Sequence, residues 1–212
     1  IDLSDNSLTA KGFNALAEFK IFNLIRARLS EDGTKLDLSN LGIGDVECRC
    51  IAECEELKDL THLYLELNKI TDKGIELLAK GSFLSHLTLL SLDRNFIGDA
   101  GFIHIIKSET FQNIQVLMVE NNAISDEGVK VLSEEECMKN LLRLYIEENN
   151  TTEEGIELLA DSEHLQQLEY PEFEREEEID EEEEDEEEFD DVEDIDDIDE
   201  EEELDDKEYE DE

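Results

Sequence analysis

The chain has 212 residues, with 63 Asp or Glu against 17 Lys or Arg and a formal net charge of −46. DNA and RNA binding depends on cations that displace counterions from phosphates, and an anionic bilayer would repel this chain, so no nucleic acid and no membrane partner is expected. No apolar run reaches the roughly 18 residues of a membrane span.

The charge is uneven. Residues 173–212 hold 30 acids against Arg175 and Lys207, a net of −28, which leaves −18 for residues 1–172. A folded acidic domain is expected over 1–172, and a disordered acidic tail over 173–212, where too few apolar residues occur to bury a core. No secretory leader pattern opens the chain, and the four cysteines fit no disulfide framework, so a reducing compartment, cytoplasm or nucleus, is expected.

In chain order, IDLSDNSLTAKGFNAL (Ile1–Leu16) is a strand-turn-helix unit with an asparagine at Asn6. The next unit starts 35 residues later, eight more than the spacing further on, and the surplus falls between Phe19 and Lys35. Asp32-Gly33 is a natural turn there, so a rim loop or small hairpin is expected. The second unit keeps Leu36, Leu38, Ile43 and Asp45 but carries Leu41 where an asparagine belongs and Glu47 where a glycine belongs.

Four units then repeat at a stride of 27 residues, aligned on Asn68, Asn95, Asn122 and Asn149. Each begins with apolar residues such as Leu63 and Leu65, whose separation by one residue places them on one face of a short strand. An acid follows (Asp72, Asp99, Asp126, Glu153), at a place where a carboxylate can cap a helix N-terminus and meet its dipole. A glycine (Gly74, Gly101, Gly128, Gly155) then leads into apolar residues at helical spacing. A seventh unit begins at Leu168 and stops at Phe173.

The pattern LxxLxLxxNxIxDxGxxxL resembles the leucine-rich repeat proteins, and its long helical half resembles their ribonuclease-inhibitor-like subclass. The resemblance implies an α/β solenoid, a horseshoe arc with a concave parallel sheet and convex helices. An asparagine amide donates and accepts at once, so it suits a buried turn that must satisfy successive backbones. Repeats followed by an acidic tail also resemble the Ran GTPase-activating protein family, which implies stimulation of a Ran-type GTPase. The acidic leucine-rich nuclear phosphoproteins, which engage histones, share the layout but have shorter repeats.

Candidate chemistry is sparse. Cys48 and Cys50 fall in the columns of Ile75 and Leu77, hence core, and no four ligands have metal spacing. His62, His86, His104 and His164 lie on separate repeats beside no nucleophile motif, and each glycine is isolated. No catalytic centre, cofactor or metal is expected, and the chain is expected to act as a monomer.

The variable residues of the strands carry the functional reading. One column on the concave face is Tyr64, Ser91, Met118 and Tyr145; the next is Glu66, Asp93, Glu120 and Glu147; a third is Leu67, Arg94, Asn121 and Glu148. Stacked acids repel, by about 0.8 kcal/mol per pair at ~5 Å even in bulk water, so they work against the fold. The plain alternative is that an acid-rich protein fills a solvated face with acids. The expected binding residues are Tyr64, Glu66, Asp93, Arg94, Met118, Glu120, Tyr145 and Glu147, and the expected partner is a basic protein or a small GTPase.

Overall fold

The computed structural model describes residues 10–171. The strand of the first unit with Asn6, the last two residues of the seventh unit and the acidic tail lie outside the described residues.

Among the described residues six α-helices alternate with five strands: α1 (Ala10–Arg28), β1 (Lys35–Asp37), α2 (Asp45–Ala52), β2 (His62–Tyr64), α3 (Asp72–Leu78), β3 (Leu89–Ser91), α4 (Asp99–Ile106), β4 (Val116–Met118), α5 (Asp126–Glu134), β5 (Arg143–Tyr145) and α6 (Glu153–Ala160). The strands form one parallel sheet in chain order. Lys35 pairs with His62, His62 with Leu89, Leu89 with Val116 and Val116 with Arg143, so the 27-residue stride of the sequence is the register of the sheet.

The middle residue of each strand (Leu36, Leu63, Leu90, Leu117, Leu144) is fully buried, as are Leu65, Leu92 and Val119 two residues on. From the helical side Ile75, Phe102, Val129 and Leu159 meet them. A three-residue strand has no stability of its own. It persists because each unit buries its apolar face against the next.

Two ladders lock the units together. The Oδ1 of Asn95 accepts the Ile70 N–H at 3.0 Å, while its Nδ2 donates to the carbonyls of Leu65 and Leu92 at 3.0 and 2.9 Å. Asn122 and Asn149 repeat this arrangement on Ile97 and Ile124. Asn68 ends the series, its Oδ1 accepting from both Leu41 and Ile43 N–H groups. Leu41 takes the place of a rung, and its own backbone is satisfied by the following unit.

The second ladder corrects the sequence reading. The pattern sets Asp72, Asp99 and Asp126 as helix caps, but each is the first helical residue, and the cap sits one position earlier. The hydroxyls of Thr71, Ser125 and Thr152 accept from the first-turn N–H groups of Lys73, Glu127 and Gly155. The carboxylates reach forward instead. Asp99 accepts the Ser125 N–H and O–H, both at 2.7 Å, and Asp126 accepts the same pair from Thr152 at 2.8 and 2.9 Å.

This explains the glycine column. A Cβ on Gly101 would stand 2.5 Å from Asp72 Oδ1, and on Gly128 2.8 Å from Asp99 Oδ1. In α2 the same position is Glu47, whose carboxylate turns back to accept the Gly44 N–H at 3.0 Å.

The surplus residues before β1 lengthen the first helix, which runs 19 residues to Arg28. A tight turn then carries the chain into β1. Asp32 Oδ1 accepts from the Ser30 and Thr34 hydroxyls and the Thr34 N–H, and Leu29 bridges Leu36 antiparallel. These three donors hold the Asp32 carboxyl down at about 2.

Candidate interaction surface

Because side chains alternate along a strand, the residues on either side of each buried leucine share the face turned away from the helices. That open face is banded. The first band is Lys35, His62, Leu89, Val116 and Arg143, with Tyr170 bridged beside Arg143. The second is Asp37, Tyr64, Ser91, Met118 and Tyr145. Two residues further along lie Glu66, Asp93, Glu120 and Glu147, and then a rim of Asn40, Leu67, Arg94, Asn121 and Glu148.

The expected binding residues are brought onto this one face, but they are not equivalent. Tyr64, Glu66, Met118, Glu120 and Tyr145 are half-buried, and Arg94 and Glu147 are exposed. Asp93 is only 9% exposed and Ser91 is fully buried. Asp93 Oδ1 accepts the Glu120 N–H at 2.8 Å, so this acid also ties two units together. Glu66 accepts the Ser91 hydroxyl at 2.9 Å, Asn121 donates to Glu148 at 2.6 Å, and Tyr170 donates its hydroxyl to Glu147.

Loss of water pushes the Asp93 carboxyl up to about 6, with Glu120 and Glu66 adding repulsion and the Glu120 N–H and Arg94 opposing. Glu120 is raised for the same leading reason, with Glu147 next. The ion pairs of the described residues lie elsewhere: Arg26–Glu56, Arg49–Glu18, Lys73–Glu76–Lys80, Lys107–Glu135 and Arg143–Glu169. None of them reaches Glu66, Asp93, Glu120 or Glu147.

The first band was absent from the sequence reading, although period-two alternation places His62 beside Tyr64 on the same face. The rings of His62 and Tyr64 lie 6.5 Å apart, and those of Tyr145 and Tyr170 lie 4.7 Å apart. Tyr170 thereby extends the aromatic surface at the far edge of the sheet. Its bond to Glu147 raises the phenol to about 12, so it stays protonated and able to donate.

The rim column has a backbone reason of its own. Asn40, Leu67, Arg94, Asn121 and Glu148 all have φ between 52° and 58°. This left-handed conformation is natural for asparagine and costs other side chains on the order of 1–2 kcal/mol. The left-handed turn lets the next residue, the ladder asparagine, swing under the sheet.

The three buried cysteines, Cys48, Cys50 and Cys54, have thiols raised by burial, which leaves them protonated and unreactive. Among the described residues no cluster of His, Cys, Asp or Glu is placed to hold a metal ion, and no helix is long and apolar enough to cross a membrane.

Fold and face together define a leucine-rich repeat solenoid. A leucine-rich repeat family model matches residues 57–79 and 112–133. No curated protein matches the chain significantly. Among solved structures, internalin C2 of Listeria monocytogenes is 28% identical with a TM-score of 0.47, over 64% of this chain and 49% of that one. Another internalin of the same organism, InlF, is 22% identical with a TM-score of 0.41, over 57% and 29%. The Arabidopsis receptor kinase HAESA, solved with a peptide hormone and a co-receptor, is 13% identical with a TM-score of 0.33, over 64% and 25%. The chain spans less than half the length of each.

Proposed function

We propose that this domain is a non-catalytic interaction module that receives a basic protein on the open face of its sheet. The observation that carries this reading is the row Glu66, Asp93, Glu120 and Glu147, set on successive repeats without a neutralising ion pair among the described residues. One member, Asp93, is held near a pKa of 6 by desolvation and by its neighbours. A fold does not accumulate such repulsion for stability, and a cationic partner would relieve it.

Tyr64, Met118 and Tyr145 border the row and supply the apolar contact area that charge alone lacks. Arg94 serves as an orienting cation at the edge. The 30 acids of residues 173–212 add long-range attraction for the same partner. Partners in this reading are basic proteins, including a small GTPase presenting a basic surface. The module needs no cofactor and acts as a monomer in the cytoplasm or nucleus.

The test is a binding titration of residues 1–172 and of the full chain against a basic protein such as a core histone, at low and high salt. The expected result is binding by both, steeper in salt for the full chain, and weakened at least several-fold when Glu66, Glu120 and Glu147 are all changed to Gln. Binding that disappears with the tail alone would transfer the activity away from the repeats. Single-turnover GTP hydrolysis by Ran, with and without the chain, tests the GTPase-activator form: acceleration is required, and an unchanged rate removes it.

A further inference from the structure

Two large apolar side chains on the rim have no structural reason to be there. Phe96 is 66% exposed and Leu67 is 47% exposed, whereas the core residues on either side, Leu65, Ile70 and Ile97, are fully buried. Leu67 carries a second penalty, because it holds φ at 55° in a column where Asn40 and Asn121 take the same conformation without strain. An asparagine there would be better for both solubility and backbone. Phe96 stands in the column of Lys69, Ala123 and Asn150, where any small or polar residue serves. Its backbone N–H is already committed to Ile70.

These two residues lie on adjacent repeats at the same rim, diagonal to one another across the register. On the opposite side of the acidic row lie Tyr64 and, further along, Met118 and Tyr145. The Glu66 end of the acidic row is therefore flanked by apolar side chains on both sides, and Glu120 and Glu147 on one, by Met118 and Tyr145. Strand neighbours stand about 4.8 Å apart, close to the 5.4 Å pitch of an α-helix. A helix laid across the strands brings a residue over successive acids about once per turn.

We infer that the partner enters as a basic amphipathic α-helix lying across the strands, with Lys or Arg one turn apart over the acidic row. Leu67 and Phe96 form its second apolar anchor. The first anchor, Tyr64, Met118 and Tyr145, takes the other flank of the same helix. This inference rests on the reading that the open face receives a basic partner, and it adds the shape of that partner and the residues that recognise it. Docking of an amphipathic helix through a few buried side chains is an established mode of peptide recognition.

Anisotropy titrations of the full chain with labelled peptides test it. The probe is a helical peptide with Lys at i, i+4, i+7 and i+11 and leucines on both sides of that stripe. Its controls are a permuted peptide of identical composition and a version carrying a central proline. The registered helix is expected to bind about ten-fold tighter than either control, and Phe96→Ser and Leu67→Asn each to weaken it about five- to ten-fold. Leu67→Asn keeps the fold by relieving strain, so its loss of binding would not be a loss of folding.

Equal binding of all three peptides would overturn the helix inference and leave a basic partner standing. Full affinity in both rim variants would overturn the anchor. No binding of any basic peptide, with the Glu66, Glu120 and Glu147 to Gln variant unchanged from the parent, would remove the basic-partner reading as well.

Discussion

Arg94 and Asn95 are consecutive residues of one turn, and they belong to two different regions of the molecule. Asn95 points under the sheet into a column that reads asparagine in four successive units, and there it satisfies the backbone of two units at once. Arg94 points outward in a column that reads Asn, Leu, Arg, Asn and Glu. The inner column is uniform because buried backbone groups accept few substitutes. The outer column is free of that requirement, so its side chains are available to answer to something outside the chain. The sharpest experiments are those that treat the two regions differently.

The largest effect is expected inside. Asn95→Leu would leave the Ile70 N–H buried without a partner and take one of two amide donors from each of the Leu65 and Leu92 carbonyls, which keep Asn68 and Asn122. A total loss of about 2–4 kcal/mol is expected in urea denaturation. The variant at Asn68 should cost at least as much, since its Oδ1 holds two N–H groups, those of Leu41 and Ile43, and no rung at Leu41 can replace it. A smaller loss at Asn68 would show that the number of backbone groups held does not set the cost.

Gly101→Ala separates the carboxylate ladder from ordinary helix preference. In a free helix the change would stabilise by about 1 kcal/mol. Here the new methyl would meet Asp72 Oδ1 at 2.5 Å and Ile97 Cγ2 at 2.8 Å, and a loss of about 2 kcal/mol is expected. In an Asp72→Ala background the part of that loss owed to the carboxylate should vanish, while the contacts with Ile97 Cγ2 and the Asp72 Cα remain, leaving a positive coupling in the double-mutant cycle. A purely additive cycle would rule out the carboxylate as the reason for the glycine.

These two ladders also mark how far the sequence could be read. The stride of 27 residues gives the register of the sheet, the buried leucines and the asparagine rungs, because each depends on residue type at a fixed spacing. The role of Asp72 was misplaced by one position, since DxG before an apolar run fits a capping acid as well as a carboxylate that reaches the next unit. Only the third dimension separates the two. The 19-residue length of the first helix was hidden because its surplus residues interrupt the stride. On the open face, Tyr64 and Glu66 were legible from alternation. The burial of Asp93 was not, as it depends on what Glu66, Arg94 and Glu120 leave open to water.

Asp93 lies between the two regions, facing outward but nearly buried. Its carboxyl titrates at about 6 in the folded chain against an ordinary value of 3.8. The folded form therefore holds the proton more tightly than the unfolded form. The stabilising contribution is fully present below the unfolded value and is lost as pH rises through about 6, with a total on the order of 2–3 kcal/mol. Asp93→Asn keeps an oxygen for the Glu120 N–H and has no charge to lose. It is expected to raise stability at pH 8 by about 1–2 kcal/mol and to flatten the pH dependence between 4 and 7. The same variant should bind a basic partner less well. A stability profile identical to the parent would mean that water reaches this carboxylate freely.

The smallest expected effect most directly sets the outer region apart. Leu67→Asn replaces a strained, exposed leucine by the residue that Asn40 and Asn121 show to be at ease with φ near 55°. A gain of about 1 kcal/mol in unfolding free energy is expected, with no change in denaturant slope. An inner residue so altered would lose stability and binding together. At Leu67 the two should move in opposite directions, the chain becoming more stable as its grip on a basic helix weakens. If the variant is instead less stable, Leu67 makes a packing contact that its exposure conceals, and the rim belongs with the scaffold and not with the binding face.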